Sequence, residues 1–133
     1  MIMNNMKITL PIYYTIKYKT KENKNILVWL NNYRNWHYQL SNKIKHYYHQ
    51  LIANCVWNVK FNKIKLKYKV FIKRSWTDYH NVRSIIEKFF LDWLVENWNI
   101  VDDNENYVLW DLWCEVFKDK DNPRIEIEIL EIN

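Results

Sequence analysis

Acidic side chains recur beside bulky apolar residues between Thr77 and Tyr107, in the stretch TDYHNVRSIIEKFFLDWLVENWNIVDDNENY. The chain as a whole carries a formal net charge of +5, so this gathering of carboxylates runs against its overall composition. Asp78, Asp92 and the adjacent pair Asp102 and Asp103 occupy three separate parts of the stretch. Carboxylates that meet at one point repel one another unless a cation lies among them, and their oxygens suit Mg²⁺. The stretch therefore predicts a Mg²⁺ site, provided that the fold brings the acids together.

Each of these acids also has an ordinary structural interpretation. Asp78 can cap the start of a helix, and Asp102 and Asp103 can support a turn. Lys88 precedes Asp92 by four residues, the spacing of an ion pair on one face of a helix. Taken one at a time, the acids require no metal.

A helix predicted from about Val82 to Asn97 must position the central acids. Its apolar residues fall on one broad face at helical periodicity: Val82, Ile85, Ile86, Phe89, Phe90, Trp93 and Leu94. Asp92 lies at the border of that face, where loss of water is costly unless a cation compensates. We therefore expect Asp92 to have a cationic partner, either Lys88 or a metal ion.

The other patterns predict one α+β domain over residues 1–133, with two main helices packed on a mixed sheet. The expected order is β-α-β-α-β-β: a strand over 6–18 interrupted near Pro11, a helix over 28–53, a strand over 64–72, the helix over 82–97, a strand over 107–117, and a last strand in PRIEIEILEI. Pro11 suggests a sheet edge. Apolar residues on both faces of 107–117 predict a central strand. The stripe expected to face the core from the first helix is Leu30, Tyr33, His37, Leu40, Ile44, Tyr47 and Leu51.

Lysines alternate with apolar residues in the strand over 64–72, and glutamates alternate with isoleucines in the last strand. If these strands are neighbours, the lysine and glutamate ladders face each other; otherwise they form two solvated faces. The lysine series continues through Lys73 and Arg74 towards Asp78, which favours contact with phosphate groups. The basic residues predicted to bind nucleic acid are Lys65, Lys67, Lys69, Lys73, Arg74 and Arg83.

Several classes of protein are disfavoured by composition. The chain contains 0 Gly, whereas phosphate-cradling nucleotide loops need glycine, so no nucleotide cofactor is expected. No apolar run approaches the roughly 20 residues that span a bilayer, and the N-terminus lacks the apolar core of a signal peptide. Cys55 and Cys114 show no metal-binding or disulfide spacing. These observations predict a cytoplasmic protein with no membrane partner.

The order of polar residues resembles the RusA family of phage and bacterial Holliday junction resolvases. The residues that carry the resemblance occur in the family order: Asp78, Asn81, Lys88, Asp92, Asp102 and Asp103, then Pro123 and Arg124. The opening KITLPI and the segment NNYRNWHYQL also resemble the family's first strand and first helix, so the resemblance covers nearly the whole chain. TDYHNVRSIIEKFFLDWL is similar to a longer motif of a phage subgroup.

Two departures from the common family pattern affect the site. His80 stands where the family carries a second aspartate, and the interval from Asn81 to Lys88 is one helical turn longer. In the subgroup motif Glu87 occupies an acidic position, so it is a candidate replacement for the missing ligand, because one inserted turn returns a side chain to nearly the same face.

The resemblance implies a homodimeric, Mg²⁺-dependent endodeoxyribonuclease that cleaves four-way junctions or other branched DNA. It implies Asp78, Glu87, Asp92 and Asp103 as catalytic metal ligands, Asp102 as a further metal-site residue and Lys88 as the cation beside the scissile phosphate. The alternative is a catalytically weakened DNA-binding or host-interacting protein that retains the fold.

Overall fold

A computed structural model of the chain describes residues 5–56, 58–73, 79–109 and 114–132. Its elements in chain order are β1 (Asn5–Pro11), β2 (Tyr13–Ile16), β3 (Lys24–Leu27), α1 (Leu30–Asn35), α2 (Tyr38–Val56), β4 (Lys63–Ile72), α3 (Tyr79–Glu96), β5 (Val108–Leu109), β6 (Cys114–Lys118) and β7 (Arg124–Ile132). The predicted α+β class, with two long helices on a mixed sheet, is confirmed. None of the helices in these ranges combines the length and the apolar character that crossing a bilayer requires.

The main sheet has the strand order β1-β7-β4-β5, and β6 pairs with β4 beyond the end of β5. β7 runs antiparallel to both β1 and β4, whereas β5 and β6 run parallel to β4. β1 lies at an edge, as Pro11 predicts. β2 and β3 form a separate two-stranded sheet, and β3 lies between the predicted first strand and the predicted first helix.

The helices cover one face of the main sheet. Buried and exposed residues therefore alternate along its strands. In β4 the buried positions are Ile64, Leu66, Tyr68, Val70 and Ile72, and in β7 Ile125, Ile127 and Ile129 are buried opposite them. α3 packs its predicted apolar face into the same core, with Leu91 in addition, while Trp93 is only partly buried. The opposite face of the sheet carries the lysines and glutamates.

Two predictions about the elements are wrong. The strand expected to be central is β5 and β6, which pair only with β4 in the part of the sheet that is described. β4 and β7 take the central positions instead. The residues that pair there are far apart in the sequence. Residues 110–113, which complete the predicted strand, lie outside the described ranges.

The predicted long first helix is two helices, because the extended backbone of Trp36, at ψ 137°, ends α1. Ile44 of the predicted stripe is buried, and Tyr33, Leu40 and Leu51 are partly buried against the core. The fully buried stripe of α2 otherwise runs through different positions. Its members are Ile44, Tyr48, His49, Ile52 and Val56. His37 and Tyr47 are exposed instead, and the side chain of Leu30 is not described.

Candidate acidic site and basic sheet face

Helix α3 carries the central acids of the predicted site. It begins at Tyr79, directly after Asp78, which lies outside the described residues together with Arg74. At the usual rise of 1.5 Å per residue, Glu87 lies about 12 Å and Asp92 about 20 Å along the helix from Tyr79. Glu87 and Asp92 are therefore about 7.5 Å apart along the axis of one helix.

Glu87 is held in a mostly buried position beside Arg83. The Nε atom of Arg83 lies 3.6 Å from Glu87 Oε2, and the two side chains are 10% and 16% exposed. The guanidinium of Arg83 also lies 4.2 Å from the centre of the Tyr68 ring on β4. Glu87 Oε2 and the Tyr68 hydroxyl are both buried, and the Glu87 carboxylate interacts with this hydroxyl. We call these three residues the Arg83–Glu87–Tyr68 cluster; it joins α3 to the middle of β4.

The electrostatics of this cluster are set by burial. Burial raises the pKa of Tyr68 well above its ordinary value, and the neighbouring Glu87 carboxylate raises it further, so the phenol stays protonated. Burial also raises the pKa of Cys114, the residue paired with Tyr68 across the sheet. The cluster thus contains one carboxylate and one guanidinium in a region that disfavours any further unpaired charge.

Lys88 and Asp92 form the ion pair that their spacing predicts. Lys88 Nζ lies 3.3 Å from Asp92 Oδ2, and the side chains are 49% and 30% exposed. The position of Asp92 at the border of the apolar face is confirmed. A pair with this exposure contributes little to stability, so either member can exchange its partner at low cost.

Asp102 and Asp103 lie in the exposed turn between α3 and β5. Asp102 Oδ1 accepts a hydrogen bond from the backbone N–H of Asp103 at 2.8 Å, and its other oxygen accepts one from the Asn104 amide at 3.0 Å. The backbone N–H of Ile64 then donates to Tyr107 O at 2.9 Å, which joins the turn to the start of β4. The predicted turn-supporting role of Asp102 is confirmed.

The described acids are distributed along α3 and the turn after it. Since α3 has 18 residues, it is about 27 Å long, and residues at its two ends are well separated. Within the described ranges no group of three or more His, Cys, Asp or Glu side chains is placed to hold a metal ion. Glu87 and Asp92 thus lie on α3 itself, and Asp103 lies in the turn that follows it.

The predicted basic residues lie in two different places. Lys65, Lys67 and Lys69 are on the sheet face opposite the helices, and Lys73 is exposed just after β4, whereas Arg83 is buried in the cluster. Lys67 pairs in register with Glu128, and Lys69 pairs with Glu126, so the two ladders are neighbours. Lys7 of β1 also contacts Glu126 at 3.0 Å. We call this surface the open sheet face; it includes a concavity of about 390 Å³.

The open sheet face is positively charged overall despite these pairs. Its charged residues on β1, β4, β6 and β7 are six cations, Lys7, Lys63, Lys65, Lys67, Lys69 and Arg124, and three acids, Glu115, Glu126 and Glu128. The glutamates therefore reduce the positive charge of the lysine ladder without cancelling it.

An aromatic stack closes one end of the open sheet face. Arg124, Phe71 and Phe117 occupy one row across β7, β4 and β6. The Phe71 and Phe117 rings stack with centroids 5.1 Å apart, and the guanidinium carbon of Arg124 lies 3.7 Å from the centre of the Phe71 ring. We call these residues the Arg124–Phe71–Phe117 stack. Alternation of Glu115 and Phe117 in CEVFK could have predicted that Phe117 is exposed. We instead interpreted this segment as part of a central strand, which predicts no exposed face.

Arg124 is fixed in the stack by two carboxylates. Its Nη1 donates to Asp119 at 2.9 Å and its Nε donates to Glu126 at 3.1 Å. Desolvation of the guanidinium opposes its charge, but the two hydrogen bonds outweigh this and raise the pKa of Arg124. The hydrogen bond from Arg124 lowers the pKa of Asp119 in turn. Arg124 therefore remains charged and covers one side of the Phe71 ring.

No protein-family model and no curated protein matches this chain.

Proposed function

We propose that this chain is a Mg²⁺-dependent endodeoxyribonuclease that cleaves branched DNA such as four-way junctions. The observation that carries the proposal is the helix that follows Asp78. It holds Glu87 with one carboxylate oxygen buried, and the next residue, Lys88, forms an exposed ion pair with Asp92. A fixed carboxylate beside an exchangeable ion pair is a suitable starting arrangement for binding a cation.

The donor set fits a hard cation in its chemistry. The proposed ligands offer only carboxylate oxygens, which Mg²⁺ prefers to nitrogen or sulfur: Asp78, Glu87, Asp92 and Asp103, with Asp102 ordering the turn beside them. Bound Mg²⁺ supplies an activated water and stabilisation of the leaving oxygen in phosphodiester hydrolysis. Lys88, when released from Asp92, is the cation that would balance the charge of the scissile phosphate.

The proposed DNA partner is supported by the charge of the open sheet face. Cations outnumber acids there by six to three, and Lys73 extends the series from the end of β4 towards Asp78. A surface of this kind binds phosphates without reading sequence, so affinity falls steeply with salt. We further propose a homodimer, because a four-way junction presents paired strands that a two-fold symmetric enzyme can cut equivalently.

Cleavage of a synthetic four-way junction in the presence of Mg²⁺ tests the proposal. We expect Asp92→Asn and Asp103→Asn to lose at least about a hundredfold in rate, since each would remove a charged metal ligand. Asp121→Asn is the matched control, because Asp121 is an exposed turn acid outside the proposed ligand set. Equal cleavage rates for wild type, Asp92→Asn and Asp103→Asn would refute the assignment.

A second candidate function is metal-independent binding of branched DNA. The observation that favours it is that Glu87 and Asp92 already have the cationic partners Arg83 and Lys88. Calorimetric titration with Mg²⁺ separates the two candidates. Millimolar or tighter binding that Asp92→Asn weakens supports the nuclease, whereas junction binding that is indifferent to divalent metal supports the binding protein.

A further inference from the structure

We infer that the outer side of the Phe117 ring is a stacking site for an unpaired base of single-stranded DNA. The lysines of β4, on the same open sheet face, are positioned to contact the phosphates of that strand. This inference rests on the proposed nucleic-acid partner and adds a binding site, separate from the acids of α3, that selects unpaired DNA.

The Arg124–Phe71–Phe117 stack runs as one row across three strands. Phe71 lies on the central strand of the row, with Arg124 against one side of its ring and Phe117 against the other. Phe117 belongs to β6, which pairs only with β4 among the described strands, so no described strand lies beside the outer side of its ring. The Phe117 residue is 43% exposed. One more flat ring would continue the row in the same direction.

The charged residues around the stack also favour an incoming phosphate. Arg124 is held by Asp119 and Glu126, so these two acids do not repel an incoming phosphate as unpaired carboxylates would. Lys118 and Lys120 are exposed immediately after Phe117, and Lys69 lies one row away on β4. Aromatic rings beside lysines on an open sheet are a recurring way to bind single strands, since every base has a face that can stack.

The Phe117 ring is also held rigidly. The Phe71 ring and the Arg124 guanidinium support Phe117 from behind, and Arg124 has three hydrogen bonds to residues of β7 and the preceding turn. A ring that is already ordered loses little conformational entropy when a base stacks on it. An exposed Phe side chain without such support would be a weaker platform.

Fluorescence anisotropy of a labelled oligothymidylate, in EDTA and at low salt, tests the site without requiring cleavage. We expect Phe117→Leu, which keeps an apolar side chain but removes the flat ring, to weaken binding roughly tenfold or more. Phe117→Trp is expected to restore binding to wild-type strength or better. Leu109→Ala is the matched control, because Leu109 is also 43% exposed on the edge of the sheet and cannot stack.

A second readout is the fluorescence of 2-aminopurine in the oligonucleotide, which stacking quenches. Quenching by wild type and Phe117→Trp, but not by Phe117→Leu, supports the inference even if no branched DNA is cleaved. No binding of the oligonucleotide by wild type, or equal affinity for Phe117→Leu and Leu109→Ala, would overturn it even if Mg²⁺-dependent cleavage is found. Loss of self-association in Phe117→Leu with unchanged DNA affinity would assign the ring to a contact between copies and also overturn it.

Discussion

Arg83 Nε lies 3.6 Å from Glu87 Oε2 on the inner side of α3, and both side chains are at least five-sixths buried. Arg83 and Glu87 are one helical turn apart, and both lie against Tyr68 on β4. A carboxylate in this position is stable only while a positive charge accompanies it. In the folded chain Arg83 supplies that charge, and under the proposed function Mg²⁺ would supply a second one.

We expect Arg83→Gln to destabilise the protein by about 3 kcal/mol, because it leaves the Glu87 carboxylate buried without a cation. The double variant Arg83→Met, Glu87→Leu should be considerably more stable than Arg83→Gln, since it removes both charges and retains apolar volume. Urea unfolding of the three proteins measures the difference. If Arg83→Gln were as stable as wild type, Arg83 would not be the cation that stabilises Glu87.

Asn99 is expected to be one of the most sensitive polar positions for stability. It is 1% exposed, and its side-chain amide donates to the carbonyl oxygens of Val56, at 2.7 Å, and of Val59. Asn99→Leu leaves both carbonyl groups without this donor and should reduce the free energy of unfolding by about 2–4 kcal/mol. Asn58→Leu, at an exposed position nearby, is the control and should change stability by less than about 0.5 kcal/mol. Similar losses of stability for both variants in thermal unfolding would show that the Asn99 hydrogen bonds do not stabilise the fold.

Trp98 provides a test of backbone strain in a chain that contains 0 Gly. Its φ is 59°, a left-handed conformation that glycine adopts without steric cost, and its side chain is 71% exposed. We expect Trp98→Gly to raise the free energy of unfolding by about 1 kcal/mol, since relief of strain exceeds the small loss of packing. Trp98→Ala loses the same side chain but retains the Cβ atom, so it should not be stabilising. Equal stabilities for the Gly and Ala variants would show that the backbone is not strained there.

His49 should make stability depend on pH. Burial lowers the pKa of His49 below its ordinary value of 6.5, although Glu96, whose Oε2 lies 3.8 Å from Nδ1, opposes this. The unfolded chain therefore binds the proton at higher pH than the folded chain does. Stability contributed by the neutral imidazole is present above about pH 6.5 and falls as the pH is lowered from there towards the folded pKa.

The measurement is the free energy of unfolding of wild type and His49→Gln between pH 7 and pH 5. Wild type should lose more stability over this interval than His49→Gln, whereas His46→Gln, which removes an exposed histidine, should retain the wild-type slope. Identical slopes for wild type and His49→Gln would mean that protonation of His49 is not coupled to folding.

The strength of a local pattern decided which elements could be predicted. β4 alternates lysine with apolar residues from Lys63 to Val70, and β7 alternates charged residues with isoleucine from Arg124 to Ile129. Their buried apolar residues fall where period two places them. α3 has an apolar face too broad to be anything but a helix packed on a core. In α2 the prediction placed Ile44 correctly but chose Tyr47 where the adjacent Tyr48 is buried, because two neighbouring tyrosines leave the exact buried face of the helix open.

The sequence by itself determined the α+β class, the paired Lys88 and Asp92, and the alternation that separates a buried sheet face from a charged one, since all of these depend on residues close together in the chain. Tertiary structure alone decided that β4 lies between β7 and the β5 and β6 edge, that the Arg83–Glu87 pair packs against Tyr68, and that Arg124, Phe71 and Phe117 form one row. These relationships join residues up to 69 positions apart, such as Lys63 and Ile132, in separate elements. They follow from strand register and packing, which no local spacing specifies.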